Sequence, residues 1–340
     1  MATLTIKDIA KLCGVGTSTV SRAINDDPGI NKDTKARILK VIDEYNFVPN
    51  NSARNLKILE SNTIALIIKG VSNPFFQSMY RCFAEELSRL EFDFFIQSID
   101  QDEDEVIIAS ELAREKKLKG IIFLGGLMEH PGNQIEKIGV PYVRCTGATL
   151  DGQNWVNGSS ISIDDVKESC RAVEYLINKG HKRIAFIASR IEDESVGMLR
   201  LKGYRNALEA HNIEFDKSLI AYTDRGIEPY SAESGYVMTK RLIEQGLDFT
   251  AIFTSSDVVA LGAYKAICES GKKVPQDYSI MGFDGIDLAN YYNPGLTTMQ
   301  QPIESMVKAS VDQMVRAING MKVDPVILFD AKLIERDSVK

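Results

Sequence analysis

The sequence predicts two unlike parts: a small all-α head over residues 1–48, and a larger two-lobed α/β body over residues 62–340, with a short helical linker over 49–61 between them. Three observations predict it. Residues 6–45 carry apolar side chains at helical spacing, interrupted by Gly14 and by Asp26-Asp27-Pro28-Gly29. From Asn62 onward, short apolar runs alternate with amphipathic stretches, the pattern of parallel sheets covered on both faces. The charge is also divided. Residues 1–60 hold nine Lys/Arg and seven Asp/Glu, a net +2, which leaves −9 for the rest of a chain whose total is −7. A slightly basic head on an acidic body suits a polyanionic partner at the N-terminus.

Composition narrows the function classes. Hydrophobic residues at 44% and charged residues at 26% are those of a folded globular chain, which excludes a disordered protein, a collagen or a coiled-coil rod. No apolar run approaches the ~18 residues of a membrane span. The first eight residues lack a basic patch followed by an apolar stretch, so no signal peptide is expected and the protein is expected in the cytoplasm. Five scattered cysteines without a C-x-x-C pair read as reduced thiols. The three histidines, His130, His181 and His211, are far apart, so neither a zinc site nor any other cofactor is expected.

In the head, Ile6, Ile9, Ala10 and Cys13 fall at i, i+3, i+4 and i+7 of a first helix, and Gly14 supplies a turn. A second helix runs from about Thr17 to Asn25 with Val20 and Ile24 inward. Asn31 is placed to cap a third, with Ile38, Leu39, Ile42 and Tyr45 on its apolar face. Two helices joined by a short turn, supported by a third, make a helix-turn-helix unit. Thr17, Ser18, Ser21 and Arg22 lie on the polar face of the second helix. Such side chains can reach base edges in a major groove, where Arg grips guanine with two parallel hydrogen bonds. Periodicity alone leaves a second reading open, the solvated face of a small bundle.

Thr5-Ile6-Lys7-Asp8-Ile9-Ala10, followed by Gly14-Val15-Gly16-Thr17-Ser18-Thr19-Val20-Ser21-Arg22-Ala23-Ile24-Asn25, resembles the DNA-binding head of the lac repressor family. The resemblance implies that Thr17, Ser18 and Arg22 contact bases, while Thr5, Ser21 and Asn25 hold phosphates and fix the register. Gly16 stands where the family usually carries Ser, a difference of a few tenths of a kcal/mol in capping. In the linker, Pro49 ends the third helix, and Asn50 or Asn51 can cap a short new one. A helix of two turns is marginal alone, so a flexible linker is the other reading. Pro49-Asn50 and Ala53-Arg54-Asn55-Leu56-Lys57 resemble the family's hinge helix. The resemblance implies that Leu56 wedges into the minor groove with Ala53 and Lys57 beside it, unstacking one base step in exchange for bent DNA that meets more protein.

The body's strand candidates are Ile64–Ile68, Phe92–Gln97, Gly120–Leu124, Pro141–Arg144, Ile184–Ala188, Ala251–Thr254 and Ser279–Phe283. Its helix candidates are 75–90, 103–117, 165–179, 197–211, 231–245, 258–270 and 303–319. No G-x-G-x-x-G follows a strand, and neither a Walker loop nor a G-x-S-x-G elbow occurs, so no enzyme is expected. His181, in Lys179-Gly180-His181-Lys182-Arg183, reads as a helix stop, with cations at the negative end of the dipole.

The same family resemblance continues through Ser72-Asn73-Pro74-Phe75-Phe76, Ile161-Ser162-Ile163-Asp164-Asp165, Arg200-Leu201-Lys202-Gly203-Tyr204, Ser256-Asp257-Val258-Val259-Ala260-Leu261-Gly262, Gly282-Phe283-Asp284 and Pro294-Gly295-Leu296-Thr297-Thr298. It implies a periplasmic-binding-protein-like pair of lobes crossed by three strands, lobe one about 62–162 plus 293–323 and lobe two about 163–292 plus 324–340. Ligands of open α/β sheets bind past the carboxyl ends of strands. There Phe75 and Phe76 offer faces for a sugar ring, and Arg200, Asp257 and Asp284 offer charge-assisted bonds to hydroxyls. Tyr230 and Gln301 match further effector positions, and Ser256 stands where relatives often carry Asn. The implied function is a homodimeric transcriptional regulator, a repressor, that binds a near-palindromic double-stranded operator under control of a small effector such as a sugar. The alternative is the solute-binding protein of a sugar transport system, against which the head and the missing signal peptide both count.

Overall fold

The structure, a computed structural model, describes residues 5–24, 27, 29–45, 61–100, 103–126, 135–147, 158–192 and 195–340. The chain divides into two compact units, residues 1–60 and 61–340. The expected hinge helix, with Ala53, Leu56 and Lys57, lies outside the described residues, as does Asn25.

In the first unit, helices α1 (Ile6–Leu12), α2 (Thr17–Ile24) and α3 (Lys32–Glu44) surround a core of Ile9, Ala10, Cys13, Val20, Ala23 and Ile38. The Asp8 carboxylate at α1 accepts from the Thr5 amide at 2.9 Å and the Thr5 hydroxyl at 2.6 Å, which holds its pKa below the usual value. Asn31 caps α3 by accepting from the amides of Asp33 and Thr34. Gly14 takes φ +62° in the turn between α1 and α2, a conformation in which a Cβ is strained. The expected inward face of α3 needs correction. Ile38 is buried, but Leu39 and Tyr45 are exposed, because two short helices cover only a narrow stripe of α3.

The second unit holds two six-stranded sheets. In chain order its elements are β1 (Thr63–Lys69), α4 (Pro74–Arg89), β2 (Asp93–Ile99), α5 (Glu105–Lys116), β3 (Gly120–Leu124), β4 (Tyr142–Cys145), β5 (Gly158–Ile163), α6 (Asp165–Asn178), β6 (Ile184–Ala188), α7 (Val196–Ala210), β7 (Ile220–Tyr222), α8 (Ala232–Glu244), β8 (Ala251–Thr254), α9 (Asp257–Glu269), β9 (Ser279–Asp284), β10 (Thr297–Gln300), α10 (Ile303–Ile318), β11 (Val326–Phe329) and β12 (Lys332–Ile334). Sheet one has the order β11-β5-β4-β3-β1-β2, and sheet two β12-β10-β9-β8-β6-β7. All pairs are parallel except β10 with β12.

The chain passes between sheets three times, and two of the expected lobe boundaries move. β10 pairs with β9, Met299 opposite Phe283, so residues 293–301 belong to lobe two rather than lobe one. α10 then returns to pack on α4 and β3–β5 of lobe one. β11 pairs with β5, Val326 opposite Ser160, so 324–329 belong to lobe one rather than lobe two. Register, not distance along the chain, assigns a crossing strand to its sheet.

Two close contacts fix lobe two. A Cβ on Gly262 of α9 would lie 1.8 Å from the Ala232 carbonyl of α8, and one on Gly235 of α8 would lie 1.9 Å from the Val259 carbonyl. These helices touch backbone to backbone. His181 is buried with Nδ1 at 2.8 Å from the Thr250 hydroxyl, and burial lowers its pKa; it ties a helix end to the sheet. Among the described residues no helix is long and apolar enough to cross a membrane.

Candidate functional site

Two surfaces carry the chemistry. On the head, Thr17, Ser18 and Arg22 project from α2 into solvent, while Ser21 is half-buried. The Arg22 side chain is 64% exposed and 4.0 Å from Asp27, a contact too long and too wet to hold it. Val20 and Ala23 anchor the opposite face of the helix, so the polar row is presented on a rigid support. Thr5 is exposed, but its hydroxyl donates to Asp8, and a phosphate contact there requires that hydroxyl to turn away.

On the body, a cleft opens between the carboxyl ends of the two sheets. Lobe one contributes Lys69, Ser72, Asn73, Phe75, Phe76, Gly125, Gly126 and Thr146; lobe two contributes Ser195, Arg200, Tyr230, Asp284 and Gln301. Asn73 caps α4 by accepting from the Phe75 amide at 3.0 Å, and Pro74 follows as a first helical residue. That cap aims the Phe pair, whose centroids are 5.5 Å apart in an edge-to-face arrangement. Phe75 is 2% exposed and mostly core; Phe76 is half-buried and offers its ring.

Arg200 organises the opposite wall. Its Nε donates to Asp165 Oδ1 at 2.8 Å, its Nη1 donates to the Ser255 carbonyl at 2.5 Å, and Nη1 lies 3.3 Å from Asp284 Oδ1. The guanidinium also stacks 3.9 Å from the Phe283 ring centroid. Burial alone lowers its pKa, but the charges of Asp165 and Asp284 outweigh burial and hold it cationic. Asp284 Oδ1 also accepts from Gln301 Nε2 at 2.8 Å. Burial pushes the Asp284 carboxyl up, and Arg200, Gln301 and Asn73 pull it back. Thr146, Tyr230 and Asp284 take φ of +67°, +56° and +109°. Non-glycine residues in this region are strained, and such strain gathers at ligand sites. The Tyr230 and Ser195 hydroxyls are 2.9 Å apart, and Ser72 donates to Glu228 at 2.6 Å from one lobe to the other.

Of the expected effector residues, Phe75, Phe76, Arg200, Tyr230, Asp284 and Gln301 come together on the cleft, and Asp257 does not. Asp257 is fully buried beneath it and accepts from the Gly285 and Ile286 amides, each at 2.8 Å, and from the Thr298 hydroxyl at 2.6 Å. With those donors engaged by its two oxygens, Asp257 holds the turn after β9 and so positions Asp284. Burial, then the Asp284 charge, push its pKa up to about 8. Lys69, Ser72, Asn73, Thr146 and Ser195 were missed by sequence reasoning. For Lys69 the signal was available, a charge at the carboxyl end of an apolar strand followed by glycine. Among the described residues no group of three or more His, Cys, Asp or Glu is placed to hold a metal.

Comparison with known proteins extends this picture. The profile of bacterial regulatory proteins of the lacI family matches residues 5–50, and that of the periplasmic binding protein-like domain matches residues 173–339. The HTH-type transcriptional regulator MalR of Clostridium butyricum is 38% identical over 340 residues, covering 98% of this chain and 99% of its own. Among solved structures, a complex of the transcriptional regulator CelR with cellobiose superposes with a TM-score of 0.72 at 29% identity, covering 98% of this chain and 99% of that one. The lac repressor dimer bound to operator and the anti-inducer ONPF superposes with a TM-score of 0.71 at 25% identity, covering 99% of both. The match runs through the head as well as the body, which sets aside the transport-protein alternative, and the chain belongs to the lacI family of DNA-binding transcriptional regulators.

Proposed function

We propose that the chain is a dimeric, cytoplasmic repressor whose affinity for a near-palindromic operator is set by an uncharged sugar held in the cleft. The observation that carries this reading is the cleft itself: an aromatic face on one lobe opposes a fixed Arg200–Asp284–Gln301 array on the other. Aromatic faces pack the C–H surface of a sugar ring, while paired donors and acceptors suit hydroxyls, which do both. The buried charges at and behind the cleft are Lys69, Arg144 and Arg200 against Glu105, Asp165 and Asp284, three of each sign, so no unbalanced cation waits for an anionic ligand. The complex of CelR with cellobiose supports a sugar, and the lac repressor dimer on its operator supports two copies on DNA.

In this reading Thr17, Ser18 and Arg22 contact bases, Thr5, Ser21 and Asn25 contact phosphates, and Ala53, Leu56 and Lys57 enter the minor groove. A two-fold pair of heads requires a dimer. Tyr80 of α4, Ile96 of β2 and Ile107 of α5 are 37%, 39% and 55% exposed, which supports an interface along that edge of lobe one. The test is titration of DNA from upstream of the protein's own operon, with and without glucose, ribose, maltose or cellobiose. A sugar that shifts operator affinity by about 5- to 150-fold supports the proposal. Equal affinity for operator and random DNA, or no response to any sugar, overturns it.

A further inference from the structure

Strand β1 reads Thr-Ile-Ala-Leu-Ile-Ile and then ends in Lys69, whose side chain is only 5% exposed. Its Nζ donates to Glu105 Oε2 at 3.0 Å and to the Glu103 carbonyl at 2.8 Å. Glu105, the first residue of α5, has a side chain 6% exposed. Taking such a pair out of water costs several kcal/mol, and apolar residues of the same volume often serve stability as well or better. Stability therefore does not explain a lysine at the end of this strand.

An ammonium has three N–H donors. Two are taken, and the third has no acceptor among the described residues. Lys69 lines the cleft at the carboxyl end of a parallel strand, where ligands of such sheets sit. The wall is shaped around the pair. Gly126 takes φ +108°, where a side chain is strained, and a Cβ there would lie 2.6 Å from Glu105 Oε1 and displace it. A Cβ on Gly125, at φ +74°, would lie 3.1 Å from the Phe76 ring.

We propose that Lys69 is an effector-contact and specificity-determining residue: its third N–H donates to a hydroxyl or ring oxygen of the sugar, opposite the Asp284 end. The inference rests on the reading of the cleft as a sugar site. Lys69 is a pure donor and Asp284 a pure acceptor when ionised, on different lobes. The bound sugar therefore presents an acceptor oxygen to lobe one and a donating hydroxyl to lobe two. Glu105 and the Glu103 carbonyl hold the ammonium in place.

The test screens the full-length protein by thermal shift with glucose, ribose, maltose and cellobiose, then titrates the sugar with the largest shift by calorimetry. The variants are Lys69→Met and the double variant Lys69→Met/Glu105→Gln, which leaves no carboxylate buried without a partner. Cooperative melting without sugar reports that each is folded. The expected result is a roughly 10- to 100-fold rise in Kd. Lys69→Arg keeps the charge beside Glu105 and moves the donor; should the Met variants not fold, it is expected to weaken binding by about threefold or more. An unchanged Kd in a folded variant overturns the assignment of Lys69 while leaving the sugar site intact. No shift with any of the four sugars overturns the sugar reading, and this inference with it.

Discussion

Replacing Asp284 by Asn separates ligand reading from folding. The two side chains have the same shape, and Asn tolerates the +109° φ at this position at least as well as Asp. Gln301 keeps an oxygen to donate to. Arg200 keeps Asp165 Oδ1 at 2.8 Å and the Ser255 carbonyl, so the guanidinium remains paired and in place. Burial already penalises the Asp284 charge, and Arg200 keeps Asp165 as its counter-ion, so removing that charge leaves no buried cation unpaired. In the proposed reading, what is lost is a charge-assisted bond to a sugar hydroxyl, about 1.5–3 kcal/mol against about 1 for the neutral bond that replaces it. The difference, about 0.5–2 kcal/mol, predicts roughly 2- to 30-fold weaker sugar binding. Fluorescence anisotropy of labelled operator, titrated with wild type and variant across a sugar series, reads both properties together. Without sugar the two proteins bind operator alike. With sugar, the variant's half-response moves to higher concentration by the same factor. A variant that responds at the wild-type sugar concentration removes Asp284 from the ligand contacts and refutes the reasoning.

Arg22→Ala is expected to cost about 1–3 kcal/mol on the true operator and to blunt discrimination against random DNA, measured by competition binding; an equal loss on both makes Arg22 a phosphate clamp. Leu56→Ala is expected to weaken operator binding more than random-DNA binding, because only a kinked site uses the wedge; equal losses in the same assay count against it. Gly262→Ala places a Cβ 1.8 Å from the Ala232 carbonyl, and urea melts should show a loss of about 3 kcal/mol as α8 and α9 are forced apart; an unchanged midpoint contradicts the close helix contact. Asp257, raised from 3.8 to about 8 by burial and the Asp284 charge, binds a proton more tightly folded than unfolded, so its contribution to stability is full below about pH 4 and is lost as pH rises toward 8. Asp257→Asn should flatten that decline, by at most about 1.4 kcal/mol per pH unit, in melts taken across the range; an unaltered slope assigns it to other groups.

Elements whose signal is local were legible. Asn31 caps α3 because a short polar acceptor before an amphipathic run has one good use, and Gly120–Leu124, Ile184–Ala188 and Ala251–Thr254 begin and end where their apolar runs do. β5 was not legible. Gly158-Ser159-Ser160-Ile161-Ser162-Ile163 is buried throughout although half its residues are serines. Their hydroxyls can be satisfied by returning chain, as Ser159 is by the Asp324 carbonyl at 2.5 Å, and that partner is 165 residues away. β10 and β11 fail for the same reason. Each joins the sheet that offers it a register, Thr298 opposite Gly282 and Leu328 opposite Ser162, and nothing within either strand names that partner.

The cleft shows the same limit in a single exchange of residues. Asp257 and Lys69 both sit next to the end of an apolar run, and from sequence the acid looked like the ligand group while the lysine drew no notice. The structure puts the acid beneath the cleft and the lysine on its wall; burial forces each charge to find partners, and the partners decide what remains for a ligand. Asp257 has two oxygens and meets the amides of Gly285 and Ile286 and the hydroxyl of Thr298, so it is consumed by the turn that carries Asp284. Lys69 has three donors and meets two acceptors, Glu105 and the Glu103 carbonyl. Those partners lie between 28 and 41 residues away in both cases, beyond any local pattern. A charge beside a strand end is therefore only a candidate, and the distinction between an acid that shapes a site and a base that reads a ligand is made by counting the hydrogen bonds each has left.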